Sequence, residues 1–164
     1  MKGTSIKDKV GSVYEVLEVV DDKQSLYDLL LLADETKEAI DKYLFDSIVF
    51  ALQTEKQTVA VFCLYPIDRN TIELKNIAVN SAYQSNGIGA SIIDFIKKYS
   101  IEKEYSTLLV GTSDTGEAQI RFYLRNGFTS AGIKENFFIE NYPEPIFENG
   151  KQLKDMVMFQ INLK

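Results

Sequence analysis

The sequence predicts a mixed α/β domain (α+β) built on a seven-stranded, mostly antiparallel sheet. Two observations carry this. Three segments rich in β-branched and aromatic residues, Ser47 to Leu52, Thr58 to Tyr65 and Thr71 to Val79, follow one another across short polar turns. That is the pattern of an antiparallel meander. The third segment leads into an amphipathic helix and then a short apolar strand, Thr107 to Val110, and such a strand–helix–strand unit sets its two strands parallel. A length of 164 residues fits a single domain over 1–164, large enough for a substantial core.

Taken in order, Val13 to Val20 is dense in β-branched residues and reads as a first strand at a sheet edge. Asp21 to Ser25 supplies a turn and a helix cap. Leu26, Leu29, Leu30 and Ala33 form one helical stripe, and Ala39, Ile40, Tyr43 and Leu44 a second, with Asp34 to Lys37 breaking them. Tyr43 is assigned to the core. Within Thr71 to Val79, Ile72 and Leu74 keep one alternation phase while Ile77 and Val79 keep the other. Such a slip needs one extra residue, a β-bulge, which bends a strand and frees backbone groups. The plainer alternative sets Lys75 and Asn76 facing solvent on an edge strand.

Ile88, Ile92, Phe95, Ile96 and Tyr99 then share a helical face opposite Ser91, Asp94, Lys97 and Lys98. A second helix over Glu117 to Asn126 stops at Gly127. Thr129 to Ile139 and Met156 to Leu163 complete the strands, the latter turning Val157, Phe159, Ile161 and Leu163 inward. Between them, Pro143 and Pro145 stiffen a long loop, and Asn149-Gly150 signals a hairpin. Its length favours a functional loop.

Composition narrows the chemistry. Hydrophobic content of 45% with 26% charged residues is that of an ordinary globular chain. The net charge is −6 and the lysines are scattered, so no nucleic-acid partner is expected, and cationic partners are favoured. No stretch approaches a membrane span, and no apolar run follows the first residues; no membrane role and a cytoplasmic location are expected. Cys63, between Phe62 and Leu64, reads as a buried strand thiol. The chain has no histidine, so a general base must be a carboxylate, a tyrosine, a terminal amine or a water chain, and no metal site is expected.

The chain is organised around Asn76 to Ser91: a strand end, a polar turn holding Gly87 and Gly89, and a helix start. A helix that opens in glycines after a strand aims free N–H groups and its positive dipole end at whatever lies before it, usually phosphate. The dinucleotide fingerprint fails, because Ile92 stands where its last small residue belongs. The nucleoside-triphosphate loop fails because no lysine follows either glycine. What remains is Gln84-x-x-Gly87-x-Gly89-Ala90, or a glycine-capped turn with no ligand. This motif resembles the acetyl-CoA pyrophosphate loop of the GNAT superfamily of N-acetyltransferases, Q/R-x-x-G-x-G/A, and the element order resembles that fold across nearly the whole chain.

The resemblance implies a twisted sheet with helices on both faces and a bulged strand splayed from its neighbour. It implies acetyl-CoA as co-substrate, no metal, and a cofactor site of Gln84, Ser85, Asn86, Gly87, Ile88, Gly89, Ala90 and Ser91. Main-chain groups of Ile77, Ala78 and Val79 at the bulge would bind the acetyl carbonyl. The segment from Tyr123 to Gly127 and Phe128 is similar to the family pattern Y-x-x-x-G-F, so Tyr123 would lie at the cofactor and protonate the departing sulfur. Otherwise it simply packs with Ile120 and Leu124. Glu73 stands where a family glutamate often draws the amine proton through water; otherwise it is an ion pair with Lys75. Gly116 and Gln119 depart from the family's Asn and Ala, so the segment 111–116 would supply hydroxyl and amide groups instead.

The loop NYPEPIFENG is similar to that of a bacterial subgroup. The resemblance implies that Glu140, Glu144 and Glu148 line an entrance for a cationic amine; otherwise they form a solvated acidic loop or a homodimer contact. The function implied is acetyl transfer to a small-molecule primary amine, directly and within a ternary complex. The alternatives are a protein lysine or N-terminal acetyltransferase, or a non-catalytic acyl-CoA-binding module.

Overall fold

The computed structural model describes residues 4–164. In chain order it contains β1 (Ser5–Lys7), β2 (Val13–Val19), α1 (Tyr27–Leu30), α2 (Lys37–Asp41), β3 (Ile48–Gln53), β4 (Thr58–Pro66) and β5 (Thr71–Val79). There follow α3 (Ile88–Glu102), β6 (Thr107–Ser113), α4 (Glu117–Arg125), β7 (Thr129–Lys134), α5 (Phe137–Asn141), β8 (Phe147–Glu148), β9 (Lys151–Gln152) and β10 (Met156–Asn162). Eight strands form one sheet in the order β1-β2-β3-β4-β5-β6-β10-β7, with β8 and β9 a separate hairpin. Every neighbouring pair is antiparallel except β5–β6.

The eighth strand is β1, and it makes β2 an interior strand rather than an edge. Three residues carry too little alternation to be read as a strand. The turn behind them holds them in place: Asp8 Oδ1 accepts the N–H groups of Val10 and Ser12, and Oδ2 accepts the Tyr14 hydroxyl at 2.8 Å.

The strand expected over Thr129 to Ile139 stops at Lys134. Asn136 takes a left-handed conformation (φ +55°) and donates its N–H to Asp155 Oδ1, turning the chain into α5 so that Phe138 is buried. The helical stripes after Ser25 form only the short helices α1 and α2, flanked by 3-10 turns.

Two cores lie on opposite faces of the sheet. Beneath α3, Phe50 packs against Phe62, Phe95 and Tyr99 at ring separations of 5.2–5.3 Å. Beneath α1 and α2, Leu30, Ile40 and Leu44 pack on Val61 and Cys63. β4 is therefore buried on both sides, which is why Val59 to Leu64 reads as unbroken apolar sequence. Each such fully buried side chain contributes about 1.5–3 kcal/mol.

The bulge forms where the alternation slips. Against β4, Cys63 faces Asn76 and Leu64 faces Leu74, leaving Lys75 unmatched. Neither Lys75 nor Asn76 simply faces solvent: Asn76 is 4% exposed, and its Nδ2 donates to the Leu30 carbonyl and the Tyr43 hydroxyl. Parallel pairing of β5 with β6 runs from Thr71↔Thr107 to Leu74↔Val110 and ends at the bulge. From Lys75 onward β5 has no strand partner on that side among the described residues.

Candidate active site

The turn between β5 and α3 is braced by side chains. Asn80 Oδ1 accepts the Ala82 N–H, and Gln84 Nε2 donates to the Val79 carbonyl at 3.0 Å. Ser85 and Gly87 both have positive φ, +66° and +79°. Gly87 is the residue that pays no steric penalty for that backbone, and it precedes the first turn of α3. Among the described residues, the backbone amides of Ser85, Asn86, Gly87, Ile88, Gly89 and Ala90 donate no hydrogen bond. All of these residues except Asn86 line a groove of about 860 Å³ that passes the split between β5 and β6.

The groove is lined by Gln84, Ser85, Gly87, Ile88, Gly89 and Ala90 at one end and by Ile77, Ala78 and Val79 along the freed stretch of β5. Asn86 and Ser91 do other work. The Asn86 carbonyl accepts the Lys9 N–H, and Ser91 Oγ donates to the Lys7 carbonyl, so both fasten the N-terminal segment to the loop. Gly89 sits against α4: a Cβ there would lie 3.1 Å from the Phe122 ring.

Tyr123, on α4, also borders the groove. It packs with Phe122, Phe128 and Phe159, and burial pushes its phenol well above the usual tyrosine range. Such a phenol keeps its proton at neutral pH and acts as a donor. Gly111, Thr112 and Ser113 of β6 line the same groove.

A smaller cavity of about 290 Å³ opens from the groove, with Asp34, Leu74, Lys75, Gly111, Tyr142 and Met156 common to both. Glu73 belongs to this cavity and not to the groove. It is 3% exposed, and Lys75 Nζ lies 3.3 Å from its Oε2. Glu73 is thus a buried carboxylate that borders the smaller cavity and also makes the ion pair with Lys75.

Four polar residues form a chain that sequence reasoning did not assemble. Asn76 donates to Tyr43, whose hydroxyl donates to Asp34 Oδ2 at 3.0 Å. Tyr142 donates to Asp34 Oδ1 at 2.7 Å across 108 residues of chain. Burial and the Asp34 carboxylate raise both phenols. Tyr43 is core, as its periodicity indicates, yet it also joins the bulge to the loop carrying Tyr142. No local pattern signals contacts this distant. Nearby, burial and then the charges of Glu148 and Asp34 raise the Glu35 carboxyl, which with Glu148 gives this end of the groove an acidic wall. Glu140 and Glu144 line neither space. Among the described residues, no group of three or more His, Cys, Asp or Glu side chains could hold a metal, and no helix is long and apolar enough to cross a membrane.

Residues 17–128 match the model of a family described as the acetyltransferase (GNAT) family. An uncharacterized N-acetyltransferase of Bacillus subtilis (strain 168), YvbK, is 35% identical over 139 residues, covering 84% of this chain and 89% of that protein. The crystal structure of a GNAT family acetyltransferase from Elizabethkingia anophelis with acetyl-CoA bound superposes with a TM-score of 0.86 at 36% identity, covering 91% of this chain and 97% of that one. A Bacillus subtilis acetyltransferase in complex with CoA superposes with a TM-score of 0.83 at 30% identity, covering 91% and 98%.

Proposed function

The chain belongs to the GNAT acetyltransferase family, and from that premise we propose that it moves an acetyl group from acetyl-CoA to a small cationic primary amine, directly and within a ternary complex. It is an acyltransferase with acetyl-CoA as co-substrate. The observation that carries the reading is the run of unpaired amides at the head of α3, five of them on residues that line a groove beside a split sheet. Backbone N–H groups at a helix N-terminus suit a pyrophosphate, and the freed edge of β5 suits an extended amide-containing arm.

Bound acetyl-CoA supplies a thioester carbon open to attack by an amine. The protein's residues do the rest. The amides of Ser85, Gly87, Ile88, Gly89 and Ala90 hold the pyrophosphate. Main-chain groups of Ile77, Ala78 and Val79, without a β6 partner, orient the acetyl group and polarise its carbonyl, and fixed dipoles do this without reorganising. Glu73, buried beside the smaller cavity, accepts the amine's proton directly or through water. Tyr123 keeps its proton and donates it toward the departing sulfur. A covalent detour through Cys63 is disfavoured, because burial pushes that thiol up to about 12 and its thiolate is scarce at neutral pH.

Steady-state thiol release with both substrates varied tests the direct route. Intersecting double-reciprocal lines are expected. Parallel lines, the signature of an acetylated enzyme, would contradict it.

A further inference from the structure

The smaller cavity has a composition that selects among amines, and this inference rests on the acetyl-transfer reading above. Its walls carry four aromatic rings, Tyr43, Tyr65, Phe137 and Tyr142. Its charged groups are two carboxylates, Asp34 and Glu73, against two lysines, Lys42 and Lys75. Both lysines are engaged: Lys75 pairs with Glu73 at 3.3 Å and lies 5.8 Å from the Tyr65 ring centre, and Lys42 Nζ donates to the Asn141 carbonyl. Asp34 already accepts from both Tyr43 and Tyr142. The cavity is therefore close to charge balance before any substrate enters.

From this we infer that the acceptor is a monoamine bearing a flat aromatic body, an arylalkylamine, rather than a polyamine or a polypeptide chain. One ammonium can enter toward Glu73, which takes its proton, and the rest of the molecule then brings no charge. A polyamine would bring further ammonium groups against Lys42 and Lys75, the two cations of this cavity. The size agrees: an apolar cavity of about 150 Å³ holds benzene, so about 290 Å³ accepts an aromatic ring on a short chain. The junction with the groove sets the reach. It lies at Asp34, Leu74, Lys75, Gly111, Tyr142 and Met156, and Met156 packs directly on Gly111, where a Cβ would sit 2.5 Å from its Sδ. A slim amine arm passes there while its ring stays on the Tyr65 side.

Calorimetric titration of phenethylamine, spermidine and a short unblocked peptide into the protein, free and saturated with CoA, tests this. Phenethylamine is expected to bind about tenfold tighter than either competitor, and Tyr65→Leu to weaken phenethylamine about tenfold while leaving spermidine unmoved. Tighter binding of spermidine or the peptide, or no measurable binding of phenethylamine, overturns the inference whatever Tyr65→Leu does. The CoA titration in the same preparation separates the two levels. CoA binding with the wrong amine preference sinks only the arylalkylamine inference, whereas failure to bind CoA sinks the acetyl-transfer reading beneath it.

Discussion

In the proposed mechanism two side chains carry the proton movements, and each makes a distinct prediction. Tyr123→Phe removes the donor but keeps the ring that packs on Phe128 and Phe159. Turnover should fall by about 10²-fold, the lower end of general-acid contributions, with acetyl-CoA affinity unchanged. A loss of affinity with turnover intact would make Tyr123 a packing residue. Glu73→Gln should reduce turnover more at low pH than at high pH, because free amine becomes abundant as pH rises and the base matters less. A uniform reduction across the profile would remove Glu73 from that role. The chain has no histidine, so histidine supplies no limb of that profile. The place of Tyr123 on the helix beside the groove and of Glu73 on the bulged strand was legible from motif and position. Asp34, Asn76 and Tyr142 were not, because their bonds join segments that only the folded sheet brings together.

At the scale of elements, the glycine turn and the bulge shape the groove. Gly89→Val would drive a side chain into the Phe122 ring from an atom already 3.1 Å away, at the end of the groove where the free amides lie. Acetyl-CoA affinity should fall by at least about 10²-fold, the scale of losing several charge-assisted hydrogen bonds, while far-ultraviolet circular dichroism stays that of the parent. Unchanged affinity would show that the loop does not cradle phosphate. The bulge was readable because sheet alternation has a period of two, and a single inserted residue, Lys75, shifts every apolar position after it. The hairpin at Asn149-Gly150 was readable for a similar reason: both residues take positive φ, which few other pairs tolerate. By contrast β1 spans three residues, and α5 hangs on one left-handed residue, Asn136. Neither leaves a periodic signal.

For the whole molecule, the buried acids set an alkaline limit. Burial raises Tyr123, Tyr43, Tyr142 and Cys63, the last from 9.0 up to about 12. Above pH about 9 the unfolded chain releases these protons while the folded chain keeps them, so stability falls as pH rises. The slope is ~1.4 kcal/mol per pH unit for each proton of difference. Urea unfolding between pH 8 and 11 should show the decline, and Cys63→Ala should make its early part shallower; an unchanged slope would mean that the Cys63 thiol titrates alike in both states. The two-faced core and the eight-stranded sheet hold one split beside one glycine turn. Calorimetric titration with acetyl-CoA, dephospho-CoA and a pantetheine analogue lacking the pyrophosphate addresses that arrangement most directly. Tight binding that survives loss of the 3′-phosphate but collapses without the pyrophosphate is the predicted result. Equal affinity for the pyrophosphate-lacking analogue, or no binding of acetyl-CoA, would contradict the account and leave Gly87 and Gly89 as a helix cap.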